Sequence, residues 1–355
     1  MNFKSVLITG GAGFVGSSLS CLFKESFPGL RVAALDNLKR RGSELNLTRL
    51  KAAGVEFVHG DIRCREDLAE VKGFELLVDC SAEASVQSGL SGSPDYLLQT
   101  NLVGSMNCME WARHYGAAFI FLSTSRVYPI ASINRLEFEN TERRFVWKAG
   151  QEARGFSPQG ISEEFSLEGA RSFYGASKLA GELLLQEYST LYRMPVIINR
   201  CGVLTGPWQM GKVDQGVIAL WVARHWLKKP LKYIGFDGAG QQVRDILHVR
   251  DLFELLCLQI QKPEHWRGDI YNIGGGLEVS VSLKELSALC QEVTGNAVPI
   301  TPEPATSPVD VRIYLSDSRK ALRDFGWKPR TRPDHIVADI HGWMTSHRDE
   351  IAQLF

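Results

Sequence analysis

Tyr174 and Lys178 stand four residues apart in the stretch Tyr174-Gly175-Ala176-Ser177-Lys178. On a helix that spacing places both side chains on one face. A phenol titrates near pH 10, too high for a base at neutral pH, and a neighbouring ammonium favours the phenolate. Thr124 ends the apolar run Ala118-Phe119-Ile120-Phe121-Leu122, within Ser123-Thr124-Ser125-Arg126-Val127-Tyr128-Pro129. Its hydroxyl and Tyr174 together could take the proton of a bound alcohol while the alcohol carbon gives up hydride. Two plainer alternatives stand beside this. The strand end can be a polar loop leaving a sheet, and the tyrosine and lysine can be an ordinary helix-surface pair.

A hydride needs an acceptor, and the beginning of the chain carries a site for one. Thr9-Gly10-Gly11-Ala12-Gly13-Phe14-Val15-Gly16 follows the apolar run Val6-Leu7-Ile8. Glycines at this spacing permit a tight strand-to-helix turn, close approach of a pyrophosphate and close helix packing. The helix N-terminus then offers free N–H groups to the phosphates. Asp36 ends the next strand, where a carboxylate hydrogen-bonds a ribose hydroxyl and repels a 2′-phosphate, which favours NAD over NADP. Lys39, Arg40 and Arg41 follow it, either as a solvated basic loop or as cations that could accept a phosphate, and Gly60-Asp61-Ile62 ends a third strand, where the aspartate either forms an ordinary turn or lies with the isoleucine against an adenine edge and face.

The elements that must position these residues are legible in outline. Short apolar runs alternate with helix-period segments through the first two hundred residues, which predicts a doubly wound parallel sheet of the Rossmann type, with ligands beyond the strands' carboxyl ends. Gly and Pro recur after about residue 200. The expected division is therefore a dinucleotide domain of residues 1–200 plus about 240–280, and a smaller, discontinuous substrate lobe of about 201–239 and 281–355. Asp245-Ile246-Leu247-His248 and Ile270-Tyr271-Asn272-Ile273 are expected to return to the main sheet.

Forty basic residues balance forty acidic ones, so the overall charge favours neither nucleic acid nor a membrane surface as partner. The seven cysteines form no CxxC pair and no metal-ligand cluster with histidine, and they read as reduced thiols. The first strand begins within five residues of the start, and no apolar stretch approaches the ~20 residues of a membrane span. Cytoplasmic location is the expectation.

With these motifs in this order, the sequence resembles the extended short-chain dehydrogenase/reductase family, the NAD-dependent epimerases and dehydratases of nucleotide sugars. The resemblance covers nearly the whole chain. It implies a catalytic set of Thr124, Tyr174 and Lys178, and a C-terminal lobe that grips a nucleotide-diphosphate sugar. It implies NAD contacts from Gly10, Gly13, Phe14, Val15, Gly16, Asp36, Asn37, Asp61, Ile62, Ser81, Ala82, Glu83, Asn101 and Cys201, besides Tyr174 and Lys178. Substrate contacts are implied for Thr124, Arg126, Gln209, Gln215, Arg244 and Arg312, the last two as bidentate partners of the diphosphate. No metal is implied, and a homo-oligomer, dimer or tetramer, is expected.

Within the family, 4,6-dehydratases carry Asp-Glu after the catalytic threonine, where this chain has Ser125 and Arg126. Eliminating water needs an acid and a base beyond the tyrosine, so the resemblance points to epimerisation. Asp36-Asn37-Leu38, Gln209 with Asp214-Gln215-Gly216, and Gln242-Val243-Arg244-Asp245-Ile246-Leu247-His248 resemble the CDP-linked 2-epimerases of the paratose/tyvelose type. A UDP- or GDP-sugar 4-epimerase, or a dinucleotide-binding sensor of the same fold, are the alternatives. Glu83, where the family often has a histidine-bearing loop, stays open as substrate ligand, acid/base or loop residue.

Overall fold

The computed structural model describes residues 3–211 and 215–355. In chain order, the strands that frame the site are β1 (Ser5–Thr9), β2 (Arg31–Asp36), β3 (Glu56–His59), β4 (Leu76–Asp79), β5 (Ala118–Thr124), β6 (Val196–Cys201), β7 (Val203–Thr205), β8 (Val243–His248), β9 (Arg267–Ile273), β10 (Ser280–Ser282) and β11 (Ile313–Tyr314). The helices that matter are α1 (Phe14–Ser26), α2 (Ser105–Tyr115), α3 (Phe173–Tyr192), α4 (Val217–Trp226), α5 (Val249–Ile260), α6 (Leu283–Thr294), α7 (Arg319–Phe325) and α8 (Pro333–Ser346).

Seven strands form one parallel sheet in the order β9-β6-β5-β4-β1-β2-β3. Every residue of β1 and β5 is buried, as continuous apolar strands covered on both faces require. One face packs under α1 and α5 through Leu19, Phe23, Leu252 and Leu256, and the other under α2 and α3 through Met109, Ala112 and Leu185. The chain order reverses between β1 and β4, so a crevice opens above the carboxyl ends of these strands. No helix among the described residues is long and apolar enough to cross a membrane.

Two segments sit elsewhere than the sequence suggests. Ile270–Ile273 joins the main sheet within β9, but Asp245–His248 lies in β8, the centre of a second sheet with β7, β10 and β11. The pattern of β8 could not show this, because a strand buried on both sides looks alike in either sheet. Conversely, Ala321, Phe325 and Trp327, expected in the smaller lobe, pack into the core beside Leu252 and Tyr271. A separate core of α4, α6 and α8, with Trp221, Leu286 and Ile340, closes the other side of the crevice.

Asp245, on β8, ties that strand to the segments that follow β9 and β11. Its Oδ2 accepts from the backbone N–H of Ser316 at 3.0 Å and Gly276 at 3.2 Å, while its Oδ1 and the Ser316 hydroxyl are buried without partners among the described residues. Burial pushes its carboxyl from the ordinary 3.8 up to about 6, against the pull of the hydrogen bonds from Ser316 and Gly276. Below pH 3.8 both folded and unfolded forms hold the proton. As pH rises to about 6 the unfolded chain releases it first, and the fold loses about 3 kcal/mol. Asp245→Asn keeps the acceptor and can donate to the Ser316 hydroxyl. Urea midpoints across pH 4–7 should therefore fall with pH in the wild type and fall less in the variant; equal slopes would refute this account.

Candidate active site

The cradle is built by close approach. Gly10 has φ +63°, and a Cβ there would meet the Cys80 carbonyl oxygen at 2.8 Å. A Cβ on Gly16 would collide with the carbonyl oxygen of Gly10, so the first turn of α1 lies on the loop below it. Gly13 caps α1 without a side-chain hydrogen bond, which leaves N–H groups of that turn for an anion. This turn opens into a cavity of about 870 Å³ that runs on past Tyr174 and Lys178 to Lys232 and Ser307. Among its described lining residues Asp310 is the sole carboxylate, against Arg40, Arg41, Arg126, Lys178, Arg224, Lys232 and Arg244. A cradle that a Cβ would fill, leading to a cationic channel, fits a dinucleotide with a second polyanion beyond it.

Thr124, Tyr174 and Lys178 all line this cavity. Thr124 is the last residue of β5, and Ser172 caps α3 by accepting from the Gly175 N–H at 3.2 Å, which sets Tyr174 in the first turn. Burial pushes the Tyr174 hydroxyl up to about 12; Thr124 and Arg126 pull it down, and Cys201 and Glu83 push it further up. Lys178 is buried, with its Nζ 4.0 Å from the Phe121 ring centroid. Burial lowers its pKa, opposed by Asp79, Cys80, Cys201 and Glu182. The helical spacing does bring tyrosine and lysine to one cavity, but the ammonium is turned towards the floor of the sheet.

The expected cofactor residues fall into two groups. Gly10, Gly13, Phe14, Val15, Gly16, Ala82 and Cys201 line the cavity, whereas Asp36, Asn37, Asp61, Ile62, Ser81, Glu83 and Asn101 are not among its lining residues. Asp36 accepts from the Ala12 N–H at 3.0 Å and the Leu38 N–H at 2.8 Å, so it shapes the loop that carries the cradle. Asp61 is held by Arg63 at 2.6 Å and by Asn37 at 2.8 Å, and these bonds bring its carboxyl down to about 2. Ile62 is buried near Gly104, and Ser81 donates its N–H to Asp79. Asn101, on a π-helical turn, accepts from the Glu83 N–H at 2.8 Å and donates to the Glu83 carbonyl at 3.0 Å. The Glu83 carboxylate folds back onto the Ser85 N–H. That arrangement makes Glu83 a loop-forming residue.

Of the expected substrate residues, Thr124, Arg126, Gln209, Gln215 and Arg244 line the cavity. Arg244 is tied to Asp310 at 2.5 Å and to the Val311 carbonyl. Gln209 donates to the Leu204 carbonyl at 3.0 Å, and Gln215 accepts from Arg40; Asp214 lies outside the described residues. Arg312 does not reach the cavity wall: its guanidinium lies 4.0 Å from the Phe138 ring, with Phe145 and Phe236 alongside. Burial lowers its pKa there, and cation–π contact replaces the expected phosphate. Sequence reasoning missed Asn46, Arg224, Lys232 and Ser307. Asn46 donates to the Ala12 carbonyl at 2.8 Å, leaving its Oδ1 unpartnered among the described residues. These are single polar residues outside any motif, so only the fold gathers them.

A Rossmann-type sheet with a phosphate cradle at its switch point, and a tyrosine and threonine at one cavity wall, define a dinucleotide-dependent enzyme. The chain belongs to the NAD dependent epimerase/dehydratase family, whose model matches residues 6–274. It is 28% identical over 352 residues to the CDP-paratose 2-epimerase of Salmonella typhi, covering 96% of this chain and 99% of that one. It is also 28% identical to the dTDP-glucose 4,6-dehydratase of Streptomyces niveus, covering 97% of this chain and 93% of that one. Among solved structures, the Thermus thermophilus UDP-glucose 4-epimerase in complex with NAD is similar at 26% identity and a TM-score of 0.75, covering 96% of this chain and 99% of that one. The protein is thus an NAD-dependent enzyme of nucleotide-sugar chemistry.

Proposed function

We propose that the chain is a nucleotide-sugar epimerase, acting on a CDP-linked sugar at C2 through a transient keto sugar that is re-reduced on its opposite face. The observation that carries this is the pair Ser125 and Arg126 at the cavity wall, together with Asp310 as the only carboxylate among the described lining residues, already paired with Arg244. Elimination of water needs a free acid and base flanking the reacting carbons, and neither is offered. Oxidation and re-reduction need one proton site. Tyr174, with Thr124, takes the proton of the sugar hydroxyl and later returns it. The cradle from Gly10 to Gly16 and Lys178 would hold NAD, which when bound would supply the hydride acceptor and then the donor. Arg244 and Lys232 hold the diphosphate end.

Similarity to the CDP-paratose 2-epimerase supports the CDP and C2 assignments, and similarity to a UDP-glucose 4-epimerase supports a second reading, inversion at C4 of a UDP-sugar. A homo-oligomer belongs to the proposal too, supported by exposed Val103 and Met106 beside exposed Leu183 and Leu191 on the neighbouring α3. Cytoplasmic placement rests on seven free cysteines, as a reducing compartment keeps them. Incubation with CDP-, UDP- and GDP-sugars in ordinary and deuterated water, followed by NMR, tests the whole. Inversion of one ring carbon of the CDP-sugar without deuterium at that carbon is expected. Deuterium at the inverted carbon would indicate a carbanion and overturn the mechanism, and inversion of a UDP-sugar alone would favour the second reading.

A further inference from the structure

With NAD at the cradle and the reacting sugar at Tyr174, the nucleotide half of the substrate lies in the remaining part of the cavity. That part is walled by α4, by α6 and by a two-stranded parallel ribbon of Leu231–Ile234 and Ile300–Glu303. Lys232 stands opposite Thr301 in the ribbon, and these two share a face with Ile234. All three line the cavity. Trp221, Leu283 and Leu286 add apolar wall from the helices.

Helix and ribbon are tied to each other. Trp221 Nε1 and the Tyr233 hydroxyl both donate to the Ser287 hydroxyl of α6, each at 2.9 Å, and the two rings are stacked with 8° between their planes. Ser287 in turn donates to the Leu283 carbonyl at 2.8 Å. One hydroxyl therefore holds α4, α6 and the ribbon together.

Arg224 follows Trp221 by three residues, which puts the two side chains on one face of α4, and both line the cavity. Of the lining arginines outside the loop after β2, Arg126 donates to the Val309 carbonyl at 3.4 Å and Arg244 is tied to Asp310 at 2.5 Å. Arg224 has no side-chain hydrogen bond or ion pair among the described residues. Asp310, the one carboxylate among the described lining residues, is already engaged by Arg244. A free guanidinium thus stands in an apolar wall on a braced helix.

A guanidinium offers parallel N–H donors in a rigid fork and no acceptor. The pairing edge of cytosine presents O2 and N3 as adjacent acceptors, which match that fork. In uracil N3 carries a proton, so one donor of the fork would face an N–H. We infer that Arg224 reads the base of the substrate and selects a cytosine over a uracil nucleotide. This rests on the CDP-sugar reading given above.

Calorimetric titration of the NAD-loaded protein with CDP and with UDP, neither carrying a sugar, tests the inference on the parent and on Arg224→Met and Arg224→Lys. The parent should bind CDP about tenfold or more tighter than UDP, the size of one bidentate contact to a base edge. Arg224→Met should lose that factor for CDP and change little for UDP. Arg224→Lys keeps the charge without the fork and should not recover the preference. Equal weakening of CDP and UDP would overturn the inference, making Arg224 a ligand of the phosphates. A CDP preference that survives in either variant would overturn it too, and would leave the CDP-sugar reading standing. A parent that binds UDP as tightly as CDP also overturns the inference; the reading beneath it falls only if the NMR experiment shows a UDP-sugar inverted in place of the CDP-sugar.

Discussion

Tyr174→Phe is expected to lower kcat by about 10²- to 10⁴-fold, the usual worth of a positioned proton-transfer group, while NAD binding and the thermal midpoint stay near those of the parent. The side-chain change is small, and among the described residues no hydrogen bond of the Tyr174 hydroxyl to a partner other than Thr124 links it to the fold. The phenylalanine fills the same wall but offers no site for the hydroxyl proton. The parent should show a sign of its own. With the phenol pushed up to about 12 in the unliganded protein, the phenolate is scarce at neutral pH, so kcat should rise with pH until the working pKa is passed. The variant should lack that rise. Steady-state rates from pH 6 to 10, with a thermal melt and an NAD titration on each form, decide it. A variant within tenfold of the parent would end the assignment of Tyr174 as proton acceptor.

The parts of the site that depend on local spacing were legible before the fold. Gly10, Gly13 and Gly16 act within one turn, and Tyr174 and Lys178 share one helix, so their separations in sequence are nearly their separations in space. Side-chain direction was not legible. Four residues along a helix bring two groups to one face, yet Lys178 bends to Phe121 of β5, a strand more than fifty residues earlier. Arg312 shows the same limit. Its cage joins Phe138, Phe145 and Phe236 from distant segments, and an arginine in a plausible register for phosphate looks no different in sequence from one stacked on rings. The assignment of β8 to a second sheet depends on pairing with β7, β10 and β11, contacts that no single strand announces.

Ser123 and Tyr128, in the same seven-residue stretch as Thr124, serve a different end, and breaking their network should have the largest effect on stability. Arg200 and Glu182 are 2% and 1% exposed and meet at 2.6 Å. Ser123 donates to the Glu182 carboxylate, Arg200 donates to the Tyr128 hydroxyl at 3.0 Å, and that hydroxyl reaches Asn272 at 2.8 Å. The pair thus bolts α3 to β5, β6 and β9 one turn below Lys178. Burial pulls the guanidinium down, but Glu182 and Tyr128 outweigh it and hold its pKa up. Arg200→Met should cost about 3–5 kcal/mol, because it leaves the Glu182 charge buried and uncompensated. Replacing both partners, Glu182→Gln with Arg200→Met, should recover much of that loss, since the penalty belongs to the stranded charge more than to the lost attraction. Urea unfolding of the parent, the single and the double variant measures both. A double variant as unstable as the single one would show that the network's hydrogen bonds, and not the unpaired charge, carry the stability of this face of α3.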